Sequence, residues 1–300
     1  MQTRRTDLAI ELSEGMAQTN QGMQCLTQQL EDGIEYTQIS IHTQEAAKRL
    51  HRPQGRYFSL QWTGMEDKSK EQLHDFARCG AKMLCEIMDW EGVGCVLAVG
   101  LGNRSITPDA YGPHVCDTLF VTRHLQQELP GILGEGYRQL CAIVPGVMGM
   151  TGIQTAETVR GVCRQLKPDL VVAIDALASE QTERIGAVLQ VSDVGITPGS
   201  GFGNAPCAID RAYLEVPVLA LGVPTVTYAS VIARGLFDRT LGKYAGTLDK
   251  LLARTPGSEM IVTPKHIDVL VKKAALATAM AVNMAVHPGF DAEMAALLSD

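Results

Sequence analysis

The feature of the sequence that most constrains the fold is a series of short apolar runs that alternate with longer segments of helical periodicity. The clearest run, residues 170–174, is fully apolar and rich in β-branched side chains. Further runs occupy residues 95–101, 140–144, 188–191 and 216–221. Continuous apolar runs of this length are typical of strands buried on both faces of a sheet. Segments of helical periodicity between and after them predict an α/β fold, a mainly parallel sheet flanked by helices on both faces.

We expect one compact unit made of two parts. Of the 300 residues, 46% are apolar, which is enough to build a substantial core. Residues 1–90 are predicted to form a polar, partly helical N-terminal region, with helical stretches between Met16 and Leu30. Residues 91–300 are predicted to form the α/β domain that carries the candidate catalytic residues, and no linker marks a boundary between the two parts.

Charge and cysteine content exclude several classes of protein. The formal net charge is −7, and an acidic chain disfavours direct binding to nucleic acid, which requires a basic face. The eight cysteines form no C-x-x-C pair, so we expect reduced thiols in a cytoplasmic protein. The first residues lack the apolar core of a signal peptide, and no apolar run reaches the ~18 residues of a membrane span.

Two carboxylates follow apolar runs of the predicted sheet. Asp109 lies in the loop after the run at 95–101, and Asp175 follows the run at 170–174 directly. Open α/β sheets bind ligands beyond the carboxyl ends of their strands. Two carboxyl groups there could share a proton, leaving one base and one acid to activate water against a peptide carbonyl. From spacing alone, Asp109 is equally well explained as a cap of the following helix.

A third loop, residues 192–204, is rich in glycine but lacks the dinucleotide fingerprint. Its backbone amides could bind an anion, although a flexible connecting loop is the simpler interpretation from the sequence alone. Residues in these loops that could support the site are Asn103, Gly112, Asp193, Gly201 and Asn204. The histidines do not cluster and no metal-binding or serine-nucleophile motif is present, so we expect no metal and no other cofactor.

Several ordered motifs resemble those of the spore germination protease family. They include Thr107-Pro-Asp-Ala-Tyr-Gly-Pro113 and residues 99–103, 145–153, 167–178 and 191–204. The segment Arg5-Thr-Asp-Leu-Ala-Ile-Glu11 resembles the processing site of that family. The resemblance is dense over residues 95–290 and weak over residues 12–90.

The resemblance implies an atypical aspartic endopeptidase whose fold is similar to that of hydrogenase maturation endopeptidases. Asp109 and Asp175 match its two catalytic aspartates. The implied substrates are small acid-soluble spore proteins, which are degraded during germination in the spore core or forespore. The resemblance also implies a homotetrameric zymogen that processes itself between Asp7 and Leu8, which would make residues 1–7 a short propeptide.

Two alternatives remain open at the level of sequence. The first is a hydrogenase-maturation-like peptidase that recognises a bound metal, which nickel-dependent cleavage of a hydrogenase precursor would reveal. The second is a non-enzymatic α/β domain that binds a small ligand through its glycine-rich loops. A thermal-shift screen with nucleotides would identify that kind of protein.

Overall fold

A computed structural model describes residues 6–14, 22–129, 131–133, 136–198, 207–241, 255 and 257–290. Its strands are β1 Met23–Gln29, β2 Glu35–Ile41, β3 Gly55–Gln61, β4 Cys95–Gly100, β5 Gln139–Ile143, β6 Leu170–Ala178, β7 Val188–Ser192, β8 Val218–Tyr228 and β9 Ile261–Val262. Its helices are α1 Ala9–Ser13, α2 Gln44–Leu50, α3 Lys70–Ile87, α4 Tyr111–Thr118, α5 Arg123–Glu128, α6 Met148–Thr151, α7 Thr155–Leu166, α8 Arg211–Leu214, α9 Ala229–Leu241 and α10 Ile267–Val286.

The described strands form one sheet in the order β1-β2-β3-β7-β8-β6-β4-β5, with β9 paired to β8. The strands β8, β6, β4 and β5 are parallel to one another. The apolar runs of β8, β6 and β4 are buried on both faces, whereas most residues of the edge strand β5 are only partly buried. The α/β class and the helix-flanked sheet that the sequence predicts are therefore confirmed. The sheet as a whole is mixed, because β1, β2, β3 and β7 continue it in antiparallel order up to β8.

The N-terminal strands explain why the sheet is less parallel than predicted. The helix expected between Met16 and Leu30 is wrong for residues 23–29, which form β1 and pair with β2. This segment has no apolar face at helical spacing that a helix could bury. As a strand it pairs with β2, and a 3.2 Å hydrogen bond between the hydroxyls of Thr27 and Thr37 reinforces the pairing. Because β3 pairs with β7, residues of the N-terminal region complete the sheet itself.

Helices cover both faces of the parallel half. On one face α3, α4 and α10 pack together over side chains such as Val96, Val172 and Leu219. On the other face α7 and α8 cover Leu97 and Val171. Alternate residues of each strand therefore belong to opposite cores, as the pleat of a buried strand requires.

Two helices show how local sequence and tertiary burial combine. The helix α3 begins at a capping box, in which the Ser69 hydroxyl accepts from the Gln72 N–H and the Gln72 side chain accepts from the Ser69 N–H. Among the described helices, α10 alone has the length and hydropathy of a membrane span, and most of it is buried inside the protein. Its Thr278 hydroxyl hydrogen-bonds the buried Tyr111 hydroxyl at 2.7 Å, which ties α10 to the start of α4.

Candidate active site

Asp175 lies in β6, between the parallel neighbours β4 and β8. Its Oδ1 accepts a hydrogen bond from the Ala176 N–H at 2.9 Å. The sequence placed Asp175 at the end of its strand, but β6 continues to Ala178, because its pairing with β8 extends beyond Asp175. Burial raises the pKa of Asp175 to about 8, and the nearby carboxylates of Asp109 and Asp7 act in the same direction. The Ala176 N–H opposes this change. At neutral pH Asp175 is therefore mostly protonated.

Asp109 closes a short 3-10 turn, Thr107–Asp109, in the loop after β4. Its Oδ2 accepts a hydrogen bond from the Asn103 N–H at 2.7 Å. The following helix α4 has Ala110 at its N-cap and receives no side-chain cap, so the alternative of Asp109 as a helix cap is wrong. Burial raises the pKa of Asp109, while the Asn103 N–H opposes the change.

Glycines allow this loop to pack closely against the end of β6. At Gly102, where φ is +111°, a Cβ would lie 2.0 Å from the carbonyl oxygen of Asp109. At Gly112 a Cβ would lie 2.4 Å from the Ile174 carbonyl oxygen and 2.5 Å from that of Leu101. Only residues without a Cβ fit at these close approaches. The sequence singled out Gly112, whereas the role of Gly102 was missed although the Gly-Leu-Gly motif signalled it.

The loop thus brings Asp109 near the part of β6 that carries Asp175, and we call these two residues the dyad. The Leu101 N–H donates to the Ile174 carbonyl at 2.8 Å, which joins the root of the loop to β6 immediately before Asp175. The negative charge of Asp109 raises the pKa of Asp175, as expected for two carboxyl groups in one site. The pair can hold one proton and leave one carboxylate as a base, which is the arrangement required for acid–base activation of water.

The N-terminal segment lies against the same end of β6. The Asp7 N–H donates to the Ala178 carbonyl at 2.9 Å, and the Ala178 N–H donates to Asp7 Oδ2 at 2.8 Å. Gln190 adds two further bonds, accepting from the Ala9 N–H at 2.6 Å and donating to the Asp7 carbonyl at 3.1 Å. Leu8 is fully buried. The peptide bond between Asp7 and Leu8 is therefore held three residues beyond Asp175 on β6.

Glu11 anchors this segment and was not singled out from the sequence. It is 1% exposed and accepts hydrogen bonds from the Ser179 hydroxyl at 2.5 Å, the Glu180 N–H at 2.7 Å and the Gln181 N–H at 3.0 Å. The buried guanidinium of Arg184 lies 3.7 Å from Glu11. A glutamate that follows apolar residues in the processing-site motif was the one sequence signal of this role.

The remaining predicted site residues are placed differently. Asp193 pairs with Arg56, accepting from its backbone N–H and from its Nε, each at 2.8 Å. Because β7 runs antiparallel to β8, its carboxyl end lies beside the amino ends of the parallel strands. Asp193 follows that end of β7 and is therefore not brought to the dyad. Gly201 and Asn204 lie outside the described residues. Within the described ranges, no group of three or more His, Cys, Asp or Glu side chains could hold a metal ion.

Comparisons with known proteins agree with this arrangement of motifs. The model of the germination protease family matches residues 5–251. The chain is 36% identical over 316 residues to a germination protease of Caldanaerobacter subterraneus subsp. tengcongensis, with 98% of each chain covered. It is 34% identical over 319 residues to that of Clostridium acetobutylicum, with 97% of each covered.

A germination protease of Bacillus cereus is 40% identical over 243 residues, which cover 78% of this chain and 66% of the relative. Among solved structures, the [NiFe] hydrogenase maturation protease HycI of Thermococcus kodakarensis KOD1 is 17% identical, with a TM-score of 0.34 over 66% of this chain and 95% of that chain. That structural similarity is too low to bear on the fold. On the family match and the near full-length relatives, the chain belongs to the germination protease family, a family of peptidases.

Proposed function

We propose that this chain is an atypical aspartic endopeptidase that initiates the degradation of small acid-soluble spore proteins during germination. The observation that carries the proposal is the dyad, one carboxyl group in β6 and one in the loop after β4, in which burial and the charge of Asp109 raise the pKa of Asp175 to about 8. The family to which the chain belongs supports a protease that acts in germination.

The two members of the dyad take different parts in the reaction. Asp175 enters as the protonated acid, because its pKa lies above neutral pH. Asp109 enters as the carboxylate and takes a proton from water, which then attacks the carbonyl carbon of the peptide bond. Asp175 supplies the proton that the leaving amine requires, and proton exchange within the dyad restores the starting state.

The position of the N-terminal segment supports self-processing of a zymogen between Asp7 and Leu8. Four hydrogen bonds of Asp7 and Ala9 hold this bond against β6 and β7. The Asp7 carboxylate is close enough to the dyad to raise the pKa of Asp175. A segment held so near the dyad would also hinder the entry of another chain. Cleavage there would remove residues 1–7 and the Asp7 carboxylate together.

The setting of the enzyme is proposed from the family resemblance. We propose a homotetramer in the cytoplasm of the forespore or in the spore core, with small acid-soluble spore proteins as its protein partners. The acidic balance of the chain supports recognition of the protein substrate rather than of the DNA that the substrate coats.

Cleavage of a purified small acid-soluble spore protein tests the proposal. We expect the wild type to cut at a few defined sites, and Asp109→Asn and Asp175→Asn to lose the activity. Asp75→Asn is the matched control, since Asp75 is an exposed aspartate on α3 that pairs with Arg78. Activity that persists in either dyad variant contradicts the proposed mechanism. Loss of activity with a chelator alone would instead favour the metal-recognising peptidase.

A further inference from the structure

One side-chain carboxamide brackets the peptide bond between Asp7 and Leu8. The Gln190 Nε2 donates to the Asp7 carbonyl oxygen at 3.1 Å, and the Gln190 Oε1 accepts from the Ala9 N–H at 2.6 Å. Because a backbone N–H can only donate, these two bonds together fix which end of the carboxamide carries the nitrogen. The donor therefore faces the one carbonyl oxygen that takes up negative charge when water attacks this bond.

The strand register places Gln190 and Asp175 on the same face of the sheet. Gln190 on β7 pairs with Gly222 on β8, and Gly222 pairs in turn with Asp175 on β6. Side chains of directly paired residues project from the same face, so Gln190 and Asp175 flank a residue that has no side chain of its own. The carboxamide and the acid of the dyad are thus two strands apart at one level of the sheet.

Leu8 is held on this same face. Leu177 on β6 lies two positions after Asp175, and Val188 on β7 lies two positions before Gln190, so each shares the face of its neighbour. Leu177 and Val188 pack with Leu8 in one apolar cluster. The residue after the bracketed bond is therefore fixed over the face that carries Asp175, while Gln190 fixes the carbonyl before it.

The position of Gln190 suits a donor that must be in place before the reaction. Gln190 is 8% exposed, and β7 is paired on both sides, with β3 and with β8. A donor on such a strand needs little reorganisation when charge develops nearby. A hydrogen bond to a charged oxygen is also stronger than one to a neutral oxygen, above all away from water. The bond from Gln190 should therefore strengthen as the Asp7 carbonyl oxygen becomes negative.

We propose that Gln190 is a further catalytic residue of the peptidase, whose Nε2–H stabilises the negative oxygen of the tetrahedral intermediate. This role rests on the dyad mechanism proposed above. Water that has lost a proton to Asp109 forms a bond to the Asp7 carbonyl carbon, and the π electron pair of the carbonyl moves onto the oxygen that Gln190 holds. When that pair re-forms the carbonyl, the C–N bond breaks and the Leu8 nitrogen takes the proton of Asp175.

The same donor then serves cleavage of a second chain. Once residues 1–7 have left, the Gln190 Nε2–H faces the place that the Asp7 carbonyl occupied. The carbonyl of the bond to be cut in a small acid-soluble spore protein takes that place. Self-processing and substrate cleavage therefore depend on one donor.

Self-processing of the full chain tests the proposal, because its reacting bond is the one that Gln190 brackets. Mass spectrometry follows the loss of residues 1–7 at about pH 7 in wild type, Gln190→Met and Gln190→Glu. We expect the rate to fall on the order of 100-fold in both variants, as for removal of one donor to a developing oxyanion. Gln139→Met is the matched control, the same substitution at the amino end of β5, and should process at the wild-type rate.

The two substitutions separate stabilisation of the oxyanion from anchoring of the segment. Gln190→Glu keeps an acceptor for the Ala9 N–H, which makes the shorter of the two bonds and favours the ionised carboxylate, but it loses the donor to the carbonyl. Gln190→Met loses both. A residue that only anchors the segment predicts clearly faster processing in Gln190→Glu than in Gln190→Met. The proposal requires Gln190→Glu to be no faster, because neither variant offers the donor.

Substrate cleavage by the processed chains is the second measurement. With a purified small acid-soluble spore protein, the kcat of both Gln190 variants should fall on the order of 100-fold while KM stays within about threefold, since the bond strengthens only in the transition state. A change in KM alone would assign Gln190 to substrate binding and overturn its catalytic role. Circular dichroism spectra that match the wild type show that the variants are folded.

Asp109→Asn and Asp175→Asn, measured in the same assays, distinguish this proposal from the dyad mechanism beneath it. Inactive dyad variants beside Gln190 variants of wild-type rate would overturn the role of Gln190 and leave the dyad standing. Dyad variants that still process would contradict the proposed function itself. Loss of processing in the dyad and Gln190 variants, with Gln139→Met unaffected, is the expected result.

Discussion

The raised pKa of Asp175 has a direct consequence for the stability of the folded chain. The carboxyl group has an ordinary pKa of 3.8, and in the folded protein this rises to about 8. Between these two values the folded state holds a proton that the unfolded chain has lost. The contribution of Asp175 to the free energy of unfolding is therefore largest below about pH 4, falls as the pH rises through this window, and is lost above about pH 8.

The size of this effect follows from the gap between the two pKa values. Since one pKa unit corresponds to about 1.36 kcal/mol, the gap sets an upper bound of about 6 kcal/mol. Asp175 is partly accessible to solvent, so screening reduces the effect, and we expect about 2–4 kcal/mol. Asp175→Asn keeps the shape of the side chain and removes the charge, so this variant should be the more stable protein at alkaline pH by that amount.

Urea unfolding followed by circular dichroism at about pH 5, 7 and 9 measures this difference. Wild type should lose stability towards high pH relative to Asp175→Asn, and the two curves should converge at low pH. The Asp75→Asn control, in which an exposed carboxylate is removed, should follow the wild type throughout. Parallel pH profiles for wild type and Asp175→Asn would refute the reasoning, because they would show that Asp175 ionises in the folded protein as it does in water.

Three further predictions concern the residues that build the site. Gly102→Ala should abolish peptidase activity, because its Cβ would lie 2.0 Å from the Asp109 carbonyl oxygen. Gly92→Ala is the control that should remain active, because at its φ of +75° no atom lies within 4 Å of the added Cβ. Glu11→Gln removes the buried carboxylate that accepts from Ser179, Glu180 and Gln181, while Arg184 keeps its ion pair with Glu14. The variant should lower the free energy of unfolding by about 2 kcal/mol in denaturant titrations, and no loss would contradict the role of Glu11. Asp7→Asn removes a negative charge near the dyad of the unprocessed chain, so the alkaline limb of the pH–rate profile for self-processing after residue 7 should move to lower pH. An unchanged limb would show that Asp7 does not act on the dyad.

The N-terminal half of the sheet shows where prediction from the sequence fails. The polar β1 carries no periodicity that distinguishes a strand from a helix, and its identity depends on pairing with β2. The residues of β7 likewise do not show in which direction the strand runs. Because it runs antiparallel to β8, Asp193 lies away from the dyad. Both outcomes depend on hydrogen bonds between segments that are distant in sequence.

The α/β class and the candidate catalytic residues could be predicted from the amino-acid sequence. Short, fully apolar runs are typical of strands in a covered sheet, and a carboxylate directly after such a run is costly unless it is satisfied or used. The position of Asp175 inside β6, three residues before the strand ends, could not be predicted in this way, because it depends on pairing with β8. The packing of distant segments places Asp109 near enough to Asp175 to raise its pKa, leaves α4 without a side-chain cap, and brings Glu11 within 3.7 Å of Arg184. The physical reason is that burial and the field of neighbouring charges, which set the pKa values of these groups, exist only once distant segments are packed together.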